Sequence, residues 1–311
     1  MTTLLSRTTA GVYAIAPTPF TTDGDLDLDS LTRLLDFYTE IGVQGVTILG
    51  QLGEAPKLSL DESRRVVAHA TAHTDLPVVA GITAPGYVAM RDLARFCMDR
   101  GAAGVMIAPP NTLRTDAQIT NFYANVAAAV APAPFVLQDY PLSFSVVISE
   151  SVIETIASDH DNCVMLKHED WPGLDKIAEL RRRERDGSMP RLSILCGNGG
   201  LFLDYEMARG ADGAMTGYCF PELLLDVVRL AREDSEAAHD IFDAHLPLIR
   251  YEQQPGLGLA VRKYILQRRG LIASNHLRAP APAFSEYTRV DVDHLLRRLA
   301  RVDARAAAIT A

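Results

Sequence analysis

Three stretches of the sequence share one form, in which two glycines three positions apart precede a short apolar run. They are Gly42-Val43-Gln44-Gly45 before Val46-Thr47-Ile48-Leu49, Gly101-Ala102-Ala103-Gly104 before Val105-Met106-Ile107-Ala108, and Gly210-Ala211-Asp212-Gly213 before Ala214-Met215-Thr216. The first glycine of each can adopt the left-handed backbone that ends a helix. The apolar run that follows is typical of a strand buried on both faces. Each stretch therefore predicts a helix, a tight turn and a buried strand.

Similar apolar runs recur along the chain, and a helical pattern follows each one. Between them, Ser59 with Glu62 and Thr115 with Gln118 have the spacing of a capping box at a helix start. Eight alternating strands and helices predict an α/β fold, the (β/α)8 TIM barrel. A doubly wound sheet is disfavoured because no G-x-G-x-x-G follows the first strand. The predicted strands are residues 12–16, 45–49, 77–82, 104–108, 134–138, 163–167, 192–196 and 213–217.

The sequence after residue 220 has a helical pattern throughout. A proline-rich connector runs from Arg278 to Phe284, but no linker isolates this tail from the barrel. We therefore expect a barrel over residues 1–220 and a C-terminal helical extension over residues 221–311 that packs on it. Helices are predicted near residues 221–232, 236–250, 256–270 and 290–308.

The composition argues against several classes of partner. The 311 residues carry 30 Lys and Arg against 39 Asp and Glu, which gives a net charge of −9. An acidic chain is not attracted to nucleic acid or to an anionic membrane surface. No apolar run reaches the roughly 20 residues of a membrane-spanning helix, and the first ten residues lack the apolar core of a signal peptide. We expect a cytoplasmic protein with no nucleic-acid or membrane partner.

Four cysteines are spread along the chain without any Cys-x-x-Cys pair. This spacing excludes a zinc ribbon and gives no disulfide framework. We expect buried free thiols and no metal site. The cysteines are Cys97, Cys163, Cys196 and Cys219.

Lys167 is the most informative residue at a predicted strand end. In a barrel of this kind the active site lies at the carboxyl ends of the strands. Only four of the 30 basic residues are lysines, and this one directly follows the buried run Cys163 to Leu166. Burial disfavours the charged form of an amine, and a neutral amine in a barrel mouth can form a Schiff base with a carbonyl substrate. The alternative is a structural lysine paired with Glu169 or Asp170.

Four segments, in order, resemble the dihydrodipicolinate synthase / N-acetylneuraminate lyase family of class I aldolases. Ala14 to Phe20 is similar to the first-strand T-P-F signature, and Gly50 to Glu54 is similar to the G-[ST]-[ST]-G-E loop. Leu166 to Glu169 lies where the family has its Schiff-base lysine, and Gly210 to Gly217 resembles the eighth-strand segment. The similarity runs from about residue 10 to about residue 290.

The resemblance implies a barrel with a C-terminal helical extension and a homo-oligomer, usually a homotetramer built from dimers. It implies that Lys167 forms a Schiff base with a 2-oxo acid, commonly pyruvate. It also implies that the enzyme needs neither a metal nor an organic cofactor.

Several positions depart from the family's pattern. The hydroxyl residues that bind the substrate carboxylate in the family fall at Gln51 and Leu52, and of these only Gln51 can hydrogen-bond. The tyrosine that relays protons falls at Gln138, which cannot act as an acid or a base. Tyr140 is a candidate replacement because residues two apart on a strand share a face. Ser143 stands where the synthases carry an arginine.

Other polar residues near Lys167 are further candidates for proton transfer. Glu169 and Asp170 follow it in a turn, and Asp170 can instead cap the next helix. His168 alternates away from Lys167 and is expected to pack between strand and helix, although the near-neutral pKa of histidine keeps it a candidate base. We expect Glu54 to anchor the backbone.

The leading hypothesis is a Schiff-base lyase, either an aldolase or a hydro-lyase, and not dihydrodipicolinate synthase itself. Its partner would be a small-molecule carbonyl substrate, a 2-oxo acid or a related compound larger than pyruvate, held by apolar contact and amide hydrogen bonds more than by charge. The catalytic candidates are Lys167, Tyr140 and Glu169, and the substrate-binding candidates are Gln51, Leu52, Gln138, Gly197 and Met215.

Two alternatives remain at this stage. One keeps the lysine but changes the reaction to decarboxylation or to hydrolysis of a carbon–carbon bond. The other is a family member that has lost catalysis and binds a ligand or a protein.

Overall fold

Eight parallel strands form a closed barrel at the centre of the molecule. A computed structural model describes residues 3–310. The strands pair in chain order, and the first closes against the eighth. Every strand boundary lies within one residue of its predicted position, so the TIM-barrel prediction is confirmed. Strands β1 to β8 are Gly11–Ile15, Gly45–Ile48, Val78–Gly81, Gly104–Ile107, Phe135–Asp139, Cys163–His168, Ser193–Cys196 and Gly213–Thr216.

Helices alternate with the strands, and further helices follow the eighth strand. Helices α1 to α8 are Leu28–Glu40, Leu60–His73, Tyr87–Asp99, Asp116–Val130, Pro141–Phe144, Glu150–Asp159, Leu174–Asp186 and Leu203–Ala208. Helices α9 to α13 are Pro221–Glu233, Ser235–Glu252, Gly258–Arg268, Glu286–Leu299 and Ala304–Ala307. Short 3-10 helices, Ala55–Lys57 and Asn198–Gly200, lie in the loops after β2 and β7.

The local signals in the sequence act as predicted. Both capping boxes form, at the start of α2 and at the start of α4. The first glycine of each repeated stretch has a left-handed backbone, with φ of 81° at Gly42, 88° at Gly101 and 99° at Gly210. Each of these glycines therefore turns the chain from a helix into the next strand.

The core has two layers, one inside the barrel and one between the strands and the helices. Tyr13, Val136, Met165 and Met215 belong to the inner layer. Residues two apart on a strand point the same way, so Lys167 shares the inward face of β6 with Met165. The inner layer closes the barrel floor beneath that lysine.

The C-terminal helices pack on the barrel, but the last predicted helix is divided in two. Helix α9 contacts β1 and β8 and completes the ring of barrel helices, and α10 packs along α9. The predicted helix over 290–308 is two helices, because the chain turns between α12 and α13. Asp303 makes that turn: it caps α13 and its Oδ2 lies 2.8 Å from Nε2 of His245.

Glu54 ties the barrel mouth to the C-terminal part of the chain, as expected of an anchoring residue. Its Oε1 accepts a hydrogen bond from Nζ of Lys263 in α11 at 2.7 Å. Its Oε2 accepts from Nζ of Lys57 at 2.9 Å and from the backbone N of Arg278 at 3.1 Å. These contacts hold α11 against the carboxyl ends of the strands.

Closure of the barrel depends on a glycine at the start of β8. Gly213 pairs with Gly11 of β1. A Cβ at Gly213 would lie 2.0 Å from the carbonyl oxygen of Gly11, closer than any side-chain atom can approach backbone. The two strands must therefore separate if position 213 carries a side chain.

We predict that Gly213→Ala destabilises the fold by about 3 kcal/mol or more, since overpacking against rigid backbone costs about 1–3 kcal/mol and positive φ adds to it. Gly42→Ala is the matched control, because Gly42 has positive φ but no atom within 4 Å of the place that an alanine methyl group would take. Urea unfolding of both variants measures the difference. Equal losses of stability would show that the contact with Gly11 does not limit closure.

Candidate active site

Lys167 lies at the carboxyl end of β6, with 4% of its surface exposed. Its Nζ is 3.0 Å from Oε2 of Glu169. Gln138, its partner in register on β5, donates from Nε2 to the same Oε2 at 2.7 Å. An amine, a carboxylate and an amide are thus in direct contact inside the barrel mouth.

The loop after β7 contacts both the side chain and the backbone of Glu169, and the backbone N of Asn198 donates to its Oε1 at 3.4 Å. Nδ2 of Asn198 donates to the backbone carbonyl of Glu169 at 2.9 Å. Gly197 lies against the side chain, and a Cβ there would lie 2.2 Å from Cγ and 2.4 Å from Oε1 of Glu169. The absence of a side chain at Gly197 therefore lets Glu169 turn toward Lys167.

A cavity of about 790 Å³ opens above this cluster, at the carboxyl ends of the strands. Six of the eight candidate site residues line it. The two others do not: Gly197 lies behind Glu169, and Met215 is fully buried in the apolar layer inside the barrel. The six lining residues are Gln51, Leu52, Gln138, Tyr140, Lys167 and Glu169.

The two residues at the family's hydroxyl positions differ in their contacts. Gln51 donates from Nε2 to Oγ of Ser143 at 2.6 Å, which joins the loop after β2 to the segment after β5. Leu52 is partly buried, and its Cδ1 lies near Gly217 at the end of β8. The amide of Gln51 is thus already engaged, and Leu52 presents apolar surface to the cavity.

Tyr140 lies on the cavity wall but not in the polar cluster around Lys167. Burial, with a contribution from the Glu169 carboxylate, raises the pKa of Tyr140 to about 12. Its ring packs edge-on against Phe144 at 6.2 Å between centroids. Within residues 3–310 its hydroxyl makes no hydrogen bond to Lys167 or Glu169. Glu169 is therefore the group in contact with the amine.

Asp170 and His168 belong to the outer side of β6. Asp170 pairs with Nζ of Lys176, which also lies 2.9 Å from Oδ2 of Asp139. Helix α7 begins after Gly173 without a side-chain cap, so Asp170 does not cap it. His168 is buried between strand and helix, as expected, and neither ring nitrogen has a partner in the described part of the chain.

Sequence reasoning missed one cavity residue of consequence, Arg262 of α11. It is 2% exposed, and its Nε donates to Oε2 of Glu252 in α10 at 2.9 Å. The signal for it was a pair of cations, Arg262 and Lys263, inside a helix whose other central residues are apolar. The expectation of a site with little charge overlooked this guanidinium.

The comparisons with known proteins agree with this architecture. The model of the dihydrodipicolinate synthetase family matches residues 8–299. The chain is 30% identical over 298 residues to the L-2-keto-3-deoxyarabonate dehydratase of Azospirillum brasilense, covering 93% of this chain and 94% of that protein. It is 24% identical over 299 residues to the putative 2-dehydro-3-deoxy-D-gluconate aldolase YagE of Escherichia coli (strain K12), covering 93% and 96%.

A solved structure gives a nearer match. The dihydrodipicolinate synthase of Rhodopseudomonas palustris aligns with a TM-score of 0.94 at 56% identity, over 96% of this chain and 100% of that one. The family match, with a dehydratase and an aldolase among the similar proteins, defines the class, a lyase of the class I aldolase type. The chain belongs to the dihydrodipicolinate synthetase family. The predicted family and enzyme class are therefore confirmed.

No helix within residues 3–310 combines the length and the apolar character that crossing a membrane requires.

His168 allows a test of the outer side of β6. Burial, assisted by the nearby Lys176 ammonium, lowers the pKa of His168 to about 4, against 6.5 for an ordinary histidine. Below about pH 6.5 the unfolded chain therefore binds a proton that the folded protein does not, so stability falls as the pH drops from 6.5 to 4. The difference corresponds to about 3 kcal/mol.

We predict that His168→Leu removes most of this loss between pH 7 and pH 4.5, because neither ring nitrogen has a partner to lose. His294→Gln, at an exposed position, is the control and should keep the wild-type pH dependence. Urea unfolding at several pH values measures both. An unchanged pH dependence in His168→Leu would show that another group is responsible.

Proposed function

We propose that Lys167 is the Schiff-base nucleophile of a lyase that acts on a hydroxylated 2-oxo acid, with Glu169 as its acid and base. The observation that carries the proposal is the 3.0 Å contact between Nζ of Lys167 and Oε2 of Glu169 inside the cavity. The hydrogen bond from Gln138 fixes the same oxygen. A base within hydrogen-bond reach of the nucleophile is the arrangement that nucleophilic catalysis needs.

The first half of the reaction forms the Schiff base. Glu169 takes a proton from the Lys167 ammonium, and the neutral amine adds to C2 of the substrate. A second proton passes from the nitrogen to the C2 oxygen, which becomes a hydroxyl group. Glu169 then returns the proton to the hydroxyl group on C2, which leaves as water. The product is an iminium ion, so the positive charge of the ammonium is retained on the nitrogen.

The second half can follow either of two routes from the same iminium ion. In dehydration, Glu169 removes a proton from C3, and the enamine then expels the C4 hydroxyl group, which takes the proton from Glu169 and leaves as water. In aldol cleavage, Glu169 removes the proton of the C4 hydroxyl group, the C3–C4 bond breaks so that C4 leaves as an aldehyde, and the electrons of the bond form the enamine, which Glu169 protonates at C3. In both routes water then hydrolyses the Schiff base and frees Lys167. The names of the Azospirillum brasilense and Escherichia coli relatives correspond to these two routes.

The synthase reaction is a poorer fit, although the similar structure from Rhodopseudomonas palustris carries that name. In this chain Ser143 replaces the arginine expected of the synthases, and Oγ of Ser143 is already bonded to Gln51. Leu52 offers no hydrogen bond to a carboxylate. These departures favour a substrate other than the aspartate semialdehyde that the synthase resemblance implies.

We further propose a cytoplasmic homo-oligomer, a dimer or a tetramer, on the basis of the family resemblance. The division into a barrel over residues 1–220 and a helical extension over residues 221–311 stays a prediction. The first helix of that extension, α9, packs against β1 and β8.

We predict that borohydride reduction in the presence of pyruvate or a 2-keto-3-deoxy sugar acid marks Lys167 alone, as peptide mapping would show. Lys167→Ala should abolish the label, and Lys57→Arg, at a lysine that does not line the cavity, should keep it. A label on another lysine with Lys167→Ala still active would overturn the assignment. No label in the wild type with any carbonyl compound would favour a protein that only binds.

Turnover assays with different substrates distinguish a lyase that acts on sugar acids from a synthase. We expect turnover of a 2-keto-3-deoxy sugar acid and little or none of pyruvate with aspartate semialdehyde. Robust synthase turnover by the purified protein would contradict the choice of substrate class while leaving the nucleophile in place.

We predict that Glu169→Gln lowers kcat by about 10²–10⁴-fold, the usual contribution of a positioned acid or base. Tyr140→Phe is the matched control and should lower kcat less than about tenfold, because its hydroxyl does not contact the amine. Steady-state rates measure both. A larger loss in Tyr140→Phe than in Glu169→Gln would assign the proton relay to the tyrosine.

A further inference from the structure

The guanidinium group of Arg262 lies on the cavity wall and takes no part in the proposed reaction. Nε and Nη2 of Arg262 each lie 2.9 Å from Oε2 of Glu252. Nη1 is buried and has no hydrogen-bond partner anywhere in residues 3–310. A buried donor without an acceptor is unfavourable, and more so when it carries charge. A ligand that brings an anionic acceptor to Nη1 would remove this cost.

The free nitrogen lies at the carboxyl end of the barrel. A Cβ built on Gly217, the residue after β8, would lie 2.8 Å from Nη1 of Arg262 and 2.9 Å from Cδ1 of Leu52. Nη1 and Leu52 are therefore neighbours, and the absence of a side chain at Gly217 makes room for both. Leu52 and Arg262 both line the cavity, so the unpartnered nitrogen belongs to a residue of its wall.

We propose that Arg262 binds the carboxylate group of the substrate, the one adjacent to the carbonyl that Lys167 attacks. A planar guanidinium matches the geometry of a carboxylate better than any other side chain. Glu252 fixes the plane of the guanidinium through Nε and Nη2 and leaves Nη1 for the ligand. Recognition of the carboxylate thus involves α11, from the C-terminal part of the chain.

Two further observations support this role. The positive charge of Arg262 lowers the pKa of Tyr140 against the effect of burial, so its field acts on another residue of the same cavity. The contact between Glu54 and Lys263, the next residue along α11, holds this part of the helix at the barrel mouth. The position of Arg262 is therefore fixed from both sides.

The proposal rests on the proposed function in one respect, that the bound carboxylate lies next to a carbonyl group that Lys167 attacks. Binding of the carboxylate by Arg262 can be tested separately from the reaction at the carbonyl. Lactate carries the carboxylate of pyruvate but has no carbonyl, so it cannot form a Schiff base. Its binding to the wild-type protein and to Arg262→Met can be measured by calorimetry, with lactamide as the uncharged comparison. Arg250→Met removes another arginine at the rim of the cavity, one that is exposed, and serves as the matched control.

We expect Arg262→Met to weaken lactate binding about 10–100-fold, the range for loss of a hydrogen bond to a charged group. Arg250→Met should weaken it less than about threefold, and lactamide should bind poorly to all three proteins. In reductive trapping, Arg262→Met should slow labelling by pyruvate but not by methyl pyruvate, whose ester is uncharged. Arg262→Lys keeps a charge beside Glu252 but loses the planar guanidinium. It should restore part of the lactate affinity and little of the preference for pyruvate over methyl pyruvate.

A purely structural role for Arg262 would give a different pattern. Thermal unfolding of Arg262→Met would then show a loss of stability, while the preference for pyruvate over methyl pyruvate stayed at the wild-type value. That pattern, or lactate binding that does not depend on Arg262, would overturn the proposal. Absence of trapping with preserved, Arg262-dependent lactate binding would contradict the proposed lyase function and leave the carboxylate site standing.

Discussion

The buried contact between Lys167 and Glu169 is the interaction around which the rest of the barrel mouth is arranged. Two opposite charges that are almost fully buried must offset the loss of water through mutual contact and additional hydrogen bonds. Gln138 supplies one such bond to Oε2, and the loop after β7 supports the Glu169 backbone through Asn198. Removing one member of such a pair costs about 3–5 kcal/mol, because the other charge stays buried alone. The lysine, its partner and both supporting residues therefore form one unit, drawn from three neighbouring strands.

The C-terminal helices contribute to the same site through a second set of buried charges. Glu54 forms an ion pair with Lys263 of α11. One residue earlier on that helix, Arg262 forms an ion pair with Glu252 of α10. The first pair attaches the helix to the barrel, and the second pair orients a guanidinium at the cavity wall. Adjacent residues thus do two tasks, since residues next to each other on a helix point about 100° apart. The helices that follow the barrel are in this sense a wall of the cavity.

The barrel could be predicted from the sequence because its signals are local. A glycine that ends a helix precedes three of the strands, apolar runs place all eight to within one residue, and Lys167 was found because a rare lysine ends such a run. The sequence could not show which of Tyr140, Glu169 and Asp170 contacts the amine, since that depends on how the loops after β5, β6 and β7 turn. Gly197 allows the contact with Glu169, because a side chain at this position would overlap that carboxylate. Arg262 was missed because its partner and its cavity are formed by segments distant in the chain.

A carboxylate beside the lysine, where the proposed function uses it as proton relay, changes the charge that a substrate meets. Glu169 brings a negative charge close to the amine, and a 2-oxo acid brings another with its own carboxylate. Lys167 offsets only one of them, because the ammonium and the iminium ion each carry one positive charge. Two anions near one cation leave the second uncompensated in a cavity largely screened from water, where charges interact strongly. Arg262 shares its charge with Glu252 but keeps one nitrogen unoccupied, so it can donate a charged hydrogen bond to the second anion. The loss of the hydroxyl pair, the proposed use of a carboxylate as base and the presence of a buried arginine are on this argument a single linked change in the donors and charges that a substrate meets.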